Sequence, residues 1–278
     1  MNPPTTIAET EFIAFDLETT GLHPIASQIV EIGAVRFRGD GTVLGNLQQL
    51  INPQCDIPPN VTRIHGITNS MVRRQPVLAE VLPRFLEFLS DTPAVLLAHN
   101  AGFDVGFISV AVSRHGHASP SHPVLDTCAL ARRRINLPNY RLETIGRYLR
   151  LINKEKHRAL DDAILVKDVF AHLIRERPAI RQTQQLFELV ARIAFDSIAV
   201  VLKTAPTGYE DLWSAIDEGR QVAINYLGGS TPGVARVITP HGVTEMRGQM
   251  YLSAYCHEGG CEKTFRLDRI NSYKLLKQ

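Results

Sequence analysis

The sequence predicts an α/β chain: a mixed sheet flanked by helices, followed by a small all-β domain. Three observations carry this reading. Residues 11–51 have the pattern of a three-strand meander, short apolar strands and helices then alternate to about residue 175, and Gly- and Pro-punctuated strands run from Gln221 onward.

Glu11–Glu18 is a strand candidate, and Ile29–Arg38 alternates apolar and polar residues at period two. Thr42–Ile51 is a third strand, joined to the second by the Gly39-Asp40-Gly41 turn. Val77–Leu89 has helical spacing. Ala94–Ala98 is an apolar run suited to a buried strand, and a helix follows from Ala101 to His115. Val124–Asp126 begins another strand, with helices expected at Ala129–Arg134, Leu142–Leu151 and Leu160–Arg175. Leu186, Leu189, Val190 and Ile193 are spaced for a connecting helix over Ile180–Lys203, which Thr204-Ala205-Pro206-Thr207-Gly208 would break. Val222–Tyr226, Val234–Ile238, Tyr251–Tyr255 and Thr264–Leu267 are short strands that fit a small barrel or an open sheet. The expected division is 1–178, a linker over 179–208, and 209–278.

A chain of 278 residues with 44% hydrophobic and 21% charged residues is long enough for two packed domains. The net charge of +2 creates no global field for nucleic acid, so any attraction for phosphate must be local. The first residues lack the basic and apolar regions of a secretory signal, and no stretch approaches the ~18 apolar residues of a membrane span. Four scattered cysteines do not make a disulfide scaffold. A cytoplasmic protein without a membrane partner is expected.

Asp16 and Glu18 are two apart on a strand and therefore share a face, while Ile13, Phe15 and Leu17 occupy the other. Two converging acids repel unless a cation lies between them, and hard oxygen ligands suit Mg²⁺ or Mn²⁺. Alone, the pair is equally compatible with a solvated strand end. Asp104 falls in the first turn of a helix after His99-Asn100-Ala101-Gly102-Phe103, where a carboxylate also suits the helix dipole. His157-Arg158-Ala159-Leu160-Asp161-Asp162 opens another helix. Together these groups supply the parts of two-metal phosphoryl transfer, with a histidine able to deprotonate water near neutral pH.

FDLETTGL, IVEIGAV, IHGIT, HNAGFDVGFI and HRALDDA, in that order, resemble the motifs of the DEDDh 3′→5′ exonucleases, the family of the proofreading epsilon subunit. The resemblance covers about Phe12–Ile174. It implies a ribonuclease-H-like fold, two Mg²⁺ (or Mn²⁺) ions on Asp16, Glu18, Asp104 and Asp162, and His157 as general base. The five-residue step from His157 favours Asp162 over Asp161. Thr19, Gly21, Leu22, His65, Asn100 and Phe103 are candidate substrate contacts, although His65 also suits a turn and Phe103 a core position.

The last part departs from that subunit. Ile224-Asn225-Tyr226, Arg236-Val237-Ile238-Thr239-Pro240, Tyr251-Leu252-Ser253-Ala254-Tyr255 and Phe265-Arg266-Leu267-Asp268-Arg269-Ile270 resemble a WYL domain, with Met250 where the naming tryptophan usually stands. That resemblance implies an Sm/SH3-like β-barrel, with Arg236, Lys263, Arg266 and Arg269 as candidate nucleic-acid contacts or as partners of local acids. Cys256-His257-Glu258-Gly259-Gly260-Cys261 reads as a hairpin rather than a zinc site.

The expected activity is removal of nucleoside 5′-monophosphates from DNA 3′ ends. The expected partners are DNA, as single strands or 3′ ends, or RNA, and proteins of replication or repair. An RNA-trimming exoribonuclease, or a ligand-sensing, nucleic-acid-binding regulator acting through the WYL-like part, is the alternative.

Overall fold

The computed structural model describes residues 6–90, 93–151, 158–176, 179–195, 200–202, 204–228, 232–246 and 248–276. Strands β1 (Glu11–Thr19), β2 (Ile29–Arg38) and β3 (Val43–Leu50) form the antiparallel meander. Helices α1 (Pro59–His65), α2 (Asn69–Val72) and α3 (Leu78–Ser90) follow, then β4 (Val95–Ala98), α4 (Gly102–Arg114), β5 (Val124–Asp126), α5 (Thr127–Arg134), α6 (Leu142–Tyr148) and α7 (Ala159–Arg175). The sheet order is β3-β2-β1-β4-β5, with β4 and β5 joining β1 in parallel. This is the expected α/β architecture.

Because β1 is central, both of its faces are covered. Ile13, Phe15 and Leu17 pack with Phe85 of α3 and Val105 and Ile108 of α4. Phe12 and Ala14 pack with Val166, Val169 and Phe170 of α7 on the other side. Asp16 and Glu18 continue the second row, so the pleat carries them towards the face that α7 covers.

The expected long connecting helix is a correction. Among the described residues of that span only α8 (Thr183–Leu189) is α-helical, and Val190 is already extended. Beyond it, Ile193 exchanges both backbone hydrogen bonds with Val124, at 2.9 and 3.0 Å, and β6 (Val200–Val201) pairs with a C-terminal strand. Backbone pairing with two sheets outweighed the helical spacing of the apolar residues.

Helix α9 (Glu210–Asp217) then precedes β7 (Val222–Tyr226), β8 (Ala235–Met246), β9 (Gln249–Cys256), β10 (Cys261–Arg266) and β11 (Ile270–Leu275). They form an antiparallel sheet in the order β10-β9-β8-β7-β11, around Ile224, Ile238, Leu252 and Phe265 with Leu212 of α9. Among the described residues β10 and β11 do not pair, so the ladder is an open sheet and not a closed barrel. Cys256 lies opposite Cys261 across the β9–β10 turn, as a hairpin requires. The two sheets are joined by more than the chain: Met246 and Tyr251 pack on Ile25 and Val110. The Ser109 hydroxyl of α4 also donates to the Phe195 carbonyl of the connecting segment. No described helix is long and apolar enough to cross a membrane.

Candidate active site

The end of β1 and the start of α7 bring Asp16, Glu18 and Asp162 together, with one carboxylate oxygen from each within 4.8 Å of the others. Two features of β2 hold α7 there. The first is Glu31, a fully buried acid within the apolar run Ile29–Val35 of the strand. Its carboxylate accepts from the Arg158 guanidinium and, at 3.0 Å, from the Ala159 backbone N–H, so it holds the helix's first turn. The second is Gly33. A Cβ at this position would lie 2.1 Å from the Ala159 carbonyl carbon and 2.1 Å from the Leu160 nitrogen. The helix start therefore rests directly on the strand backbone. Asp161 is exposed, in keeping with the preference for Asp162.

Asp104 comes from α4, which covers the opposite face, and is only 2% exposed. Its Oδ1 accepts the Leu17 N–H at 3.1 Å, which pins the strand between the two other acids. The turn before it is strained: Asn100 has φ 60, and its N–H donates to Asp126 Oδ1, which also caps α5 through the Cys128 N–H. The His99 ring bridges the Thr127 hydroxyl and the Tyr140 carbonyl, and burial lowers its pKa. His99 thus positions the turn and does not reach the acids.

The remaining expected residues are dispersed. His157 lies outside the described residues. The Thr19 hydroxyl donates to the Gly21 carbonyl, and Leu22 is 79% exposed on the same loop. His65 is buried, and its Nδ1 accepts the Ile67 N–H, the turn role that the sequence also allowed. Phe103 packs on Phe107 at the edge of the core. Arg266 is paired with Asp268 two residues on, whereas Arg236 and Lys263 face a cleft between the two sheets. Glu31 and Gly33 are the residues whose roles sequence reasoning missed. A lone acid within the apolar run Ile29–Val35 was the available signal for Glu31.

Burial, and then charge crowding at Asp16 and Glu18, raise the pKa of the acids. Burial raises the Asp16 carboxyl well above the carboxylate range, and Asp104, Glu18, Asp162 and Glu31 raise it further. Glu18 rises from an ordinary 4.5 to about 8, chiefly through burial and then through Asp162, Glu31 and Asp104, with Arg158 opposing. Burial takes Asp104 from 3.8 to about 8, against the hydrogen bonds it accepts from its own N–H and that of Leu17. A desolvated set of hard oxygen donors that repel one another fits a divalent cation, which would replace the protons.

This crowding has a measurable effect on stability. The metal-free folded state holds these protons more tightly than the unfolded chain does. Folding is therefore unpenalised below the ordinary carboxylate values and loses stability as pH rises towards about 8. Metal-free protein should melt several degrees lower at about pH 8 than at about pH 5.5, at ~2–4 °C per kcal/mol for a domain of this size. Millimolar Mn²⁺ should raise the melting temperature more at the higher pH. Equal responses at the two pH values would contradict the crowded-acid picture.

An exonuclease family model matches residues 13–170, more than half of the chain, and a WYL domain model matches residues 208–275. A Mycobacterium tuberculosis protein named as a candidate bifunctional exonuclease/endonuclease is 44% identical over 177 residues, covering 60% of this chain and 27% of its own length. The DNA polymerase III epsilon subunit of Treponema pallidum is 38% identical over 166 residues, covering 59% of this chain and 76% of that protein. The chain spans only 12–27% of the length of the first curated relatives it matches. In fold, it resembles E. coli exonuclease I in complex with a dT13 oligonucleotide, at a TM-score of 0.57 and 17% identity, over 88% of this chain and 55% of that one. With its acids converging at the end of β1 and the family match running from Ile13 to Phe170, the chain belongs to the exonuclease family.

Proposed function

We propose that the chain is a metal-dependent 3′→5′ exonuclease that releases nucleoside 5′-monophosphates from DNA 3′ ends. The observation that carries this reading is the convergence of Asp16, Glu18 and Asp162 within 4.8 Å. On this reading Asp16, Glu18, Asp104 and Asp162 hold two Mg²⁺ or Mn²⁺ ions. When bound, these would neutralise charge developing on the reacting phosphate.

The chain's own residues do the rest. His157 takes a proton from the attacking water; that role is supported by its five-residue step to Asp162, a resemblance to the family pattern. Water adds to phosphorus, the bond to the 3′ oxygen breaks, and the shortened strand keeps a 3′-hydroxyl. Glu31 and Gly33 are positioning residues that keep Asp162 in register with β1. We read 1–178 as the nuclease unit, 179–208 as a linker and 209–278 as a WYL-type, Sm/SH3-like unit. Its short antiparallel strands support that last assignment. Replication or repair proteins are the partners, in the cytoplasm. A pure regulator acting through the C-terminal sheet would have no use for a buried acid cluster.

Matched DNA and RNA strands labelled at the 5′ end, incubated with Mg²⁺ or Mn²⁺, test the reading. DNA should shorten from its 3′ end with release of nucleoside 5′-monophosphates, and chelation should stop it. Faster loss of short RNA would replace the DNA assignment with RNA trimming. Undiminished activity in Asp162→Ala would remove the proposed site.

A further inference from the structure

The two sheets enclose a cleft of about 1080 Å³ that begins at the loop after Glu18. One wall is the nuclease loop from Thr20 to Gln28 together with Arg114 at the end of α4. The other is the C-terminal sheet, through Arg236 of β8, Tyr255 of β9 and Lys263 of β10. Thr20 is two residues from Glu18, so the cleft and the acid cluster are within ~7 Å of chain reach.

The cleft differs from the rest of the molecule in charge. Its lining carries Arg114, Arg236 and Lys263 against a single acid, Asp56, in a protein whose net charge is only +2. Two apolar or aromatic surfaces are exposed in the same lining, Leu22 at 79% and Tyr255 at 37%. Cations interleaved with an exposed ring suit phosphates and unpaired bases, since stacking on an aromatic needs a free base face. The volume lies at the upper end of the range of small-ligand pockets, ~300–1,000 Å³, so the cleft has room for more than a single nucleotide. The apolar seam of Ile25, Val110, Met246 and Tyr251 joins the walls, so the cleft is built into the packing of the two sheets.

We propose that this cleft is a track for single-stranded nucleic acid, holding the substrate strand upstream of its 3′ end while that end lies at the acid cluster. The proposal rests on the nuclease reading and adds to it a substrate class: a strand long enough to cross from one sheet to the other, unpaired where it does so. Arg236 and Lys263 contact phosphates, and Tyr255 and Leu22 contact bases.

The test is the salt dependence of KM for a single strand of roughly 30 nucleotides, comparing wild type with Arg236→Gln/Lys263→Gln. Loss of two phosphate contacts should reduce the slope of log KM against log salt by about 1.4, at ~0.7 per contact, and raise KM at least ~10-fold at low salt. In the native protein, a strand carrying 4-thiothymidine upstream of its 3′ end should crosslink within residues 226–265. This second measurement does not depend on the variant's folding. Unchanged slope and KM in a folded variant, or crosslinks confined to the nuclease loop, overturn the track while leaving the nuclease reading intact. Absence of strand hydrolysis by wild type with Mg²⁺ and Mn²⁺ sinks the nuclease reading instead.

Discussion

Replacing Asp16 with alanine is expected to lower kcat by about 10³-fold or more while leaving strand binding within a few-fold of wild type, because lost metal binding removes several kcal/mol of transition-state stabilisation and each ~1.4 kcal/mol is tenfold. The expectation rests on position. Burial raises the proton affinity of Asp16, and Asp104, Glu18, Asp162 and Glu31 each raise it further, so it lies within the repelling cluster. Removing it relieves that repulsion, and the folded protein should not lose stability in the metal-free state. Single-turnover kinetics with Mn²⁺ and a binding isotherm in chelator separate the two effects. A variant that cleaves within tenfold of wild type would show that the acids do not act as a unit.

Gly33→Ala should be nearly as damaging, although residue 33 carries no chemical group of its own. The added methyl would sit 2.1 Å from backbone atoms of Ala159 and Leu160, and backbone cannot swing aside as a side-chain tip can. Either α7 lifts off β2 or the strand shifts. Overpacking of this kind costs roughly 1–3 kcal/mol, and a displacement of about 1 Å at the site costs ~10²-fold in kcat. The expected result is a folded protein with a lowered melting temperature, at least ~100-fold lower kcat and weaker stabilisation by Mn²⁺. Wild-type kcat in Gly33→Ala would mean that Asp162 tolerates movement of its helix, and would remove the positioning role assigned to β2.

Much of the candidate site is legible in the sequence. Asp16 and Glu18 share a strand face by the period of the chain, and β1 has the limits that its apolar row suggests. The resemblance to the family's five-residue step from His157 favours one of two adjacent carboxylates, and Asp162 is the one that joins the cluster. His99 and His65 show the limit of that reasoning. Both stand in motif segments, yet His65 spends a ring nitrogen on the Ile67 N–H two residues on, and His99 spends both on Thr127 and Tyr140, whose approach depends on the path of residues far away in sequence.

The open C-terminal sheet and the short α8 depart from expectation for a related reason. Apolar spacing reports which residues seek burial, but it does not say whether a backbone finds its partners within a helix or on a neighbouring strand. Ile193 found Val124, and Val200–Val201 found β8, so the chain left its helix where pairing with two sheets was available.

The sequence by itself determined the α/β class and the antiparallel meander, because these follow from local periodicity, and it nominated the acids through the resemblance of their segments to the family motifs. Only the tertiary structure decided that Glu31 and Gly33 hold α7 against β2, that Asp104 reaches its place by pinning Leu17, and that Arg236 and Lys263 face the nuclease loop across a cleft. Those relations join residues far apart along the chain, and they arise from close packing of backbones and side chains that no local pattern encodes.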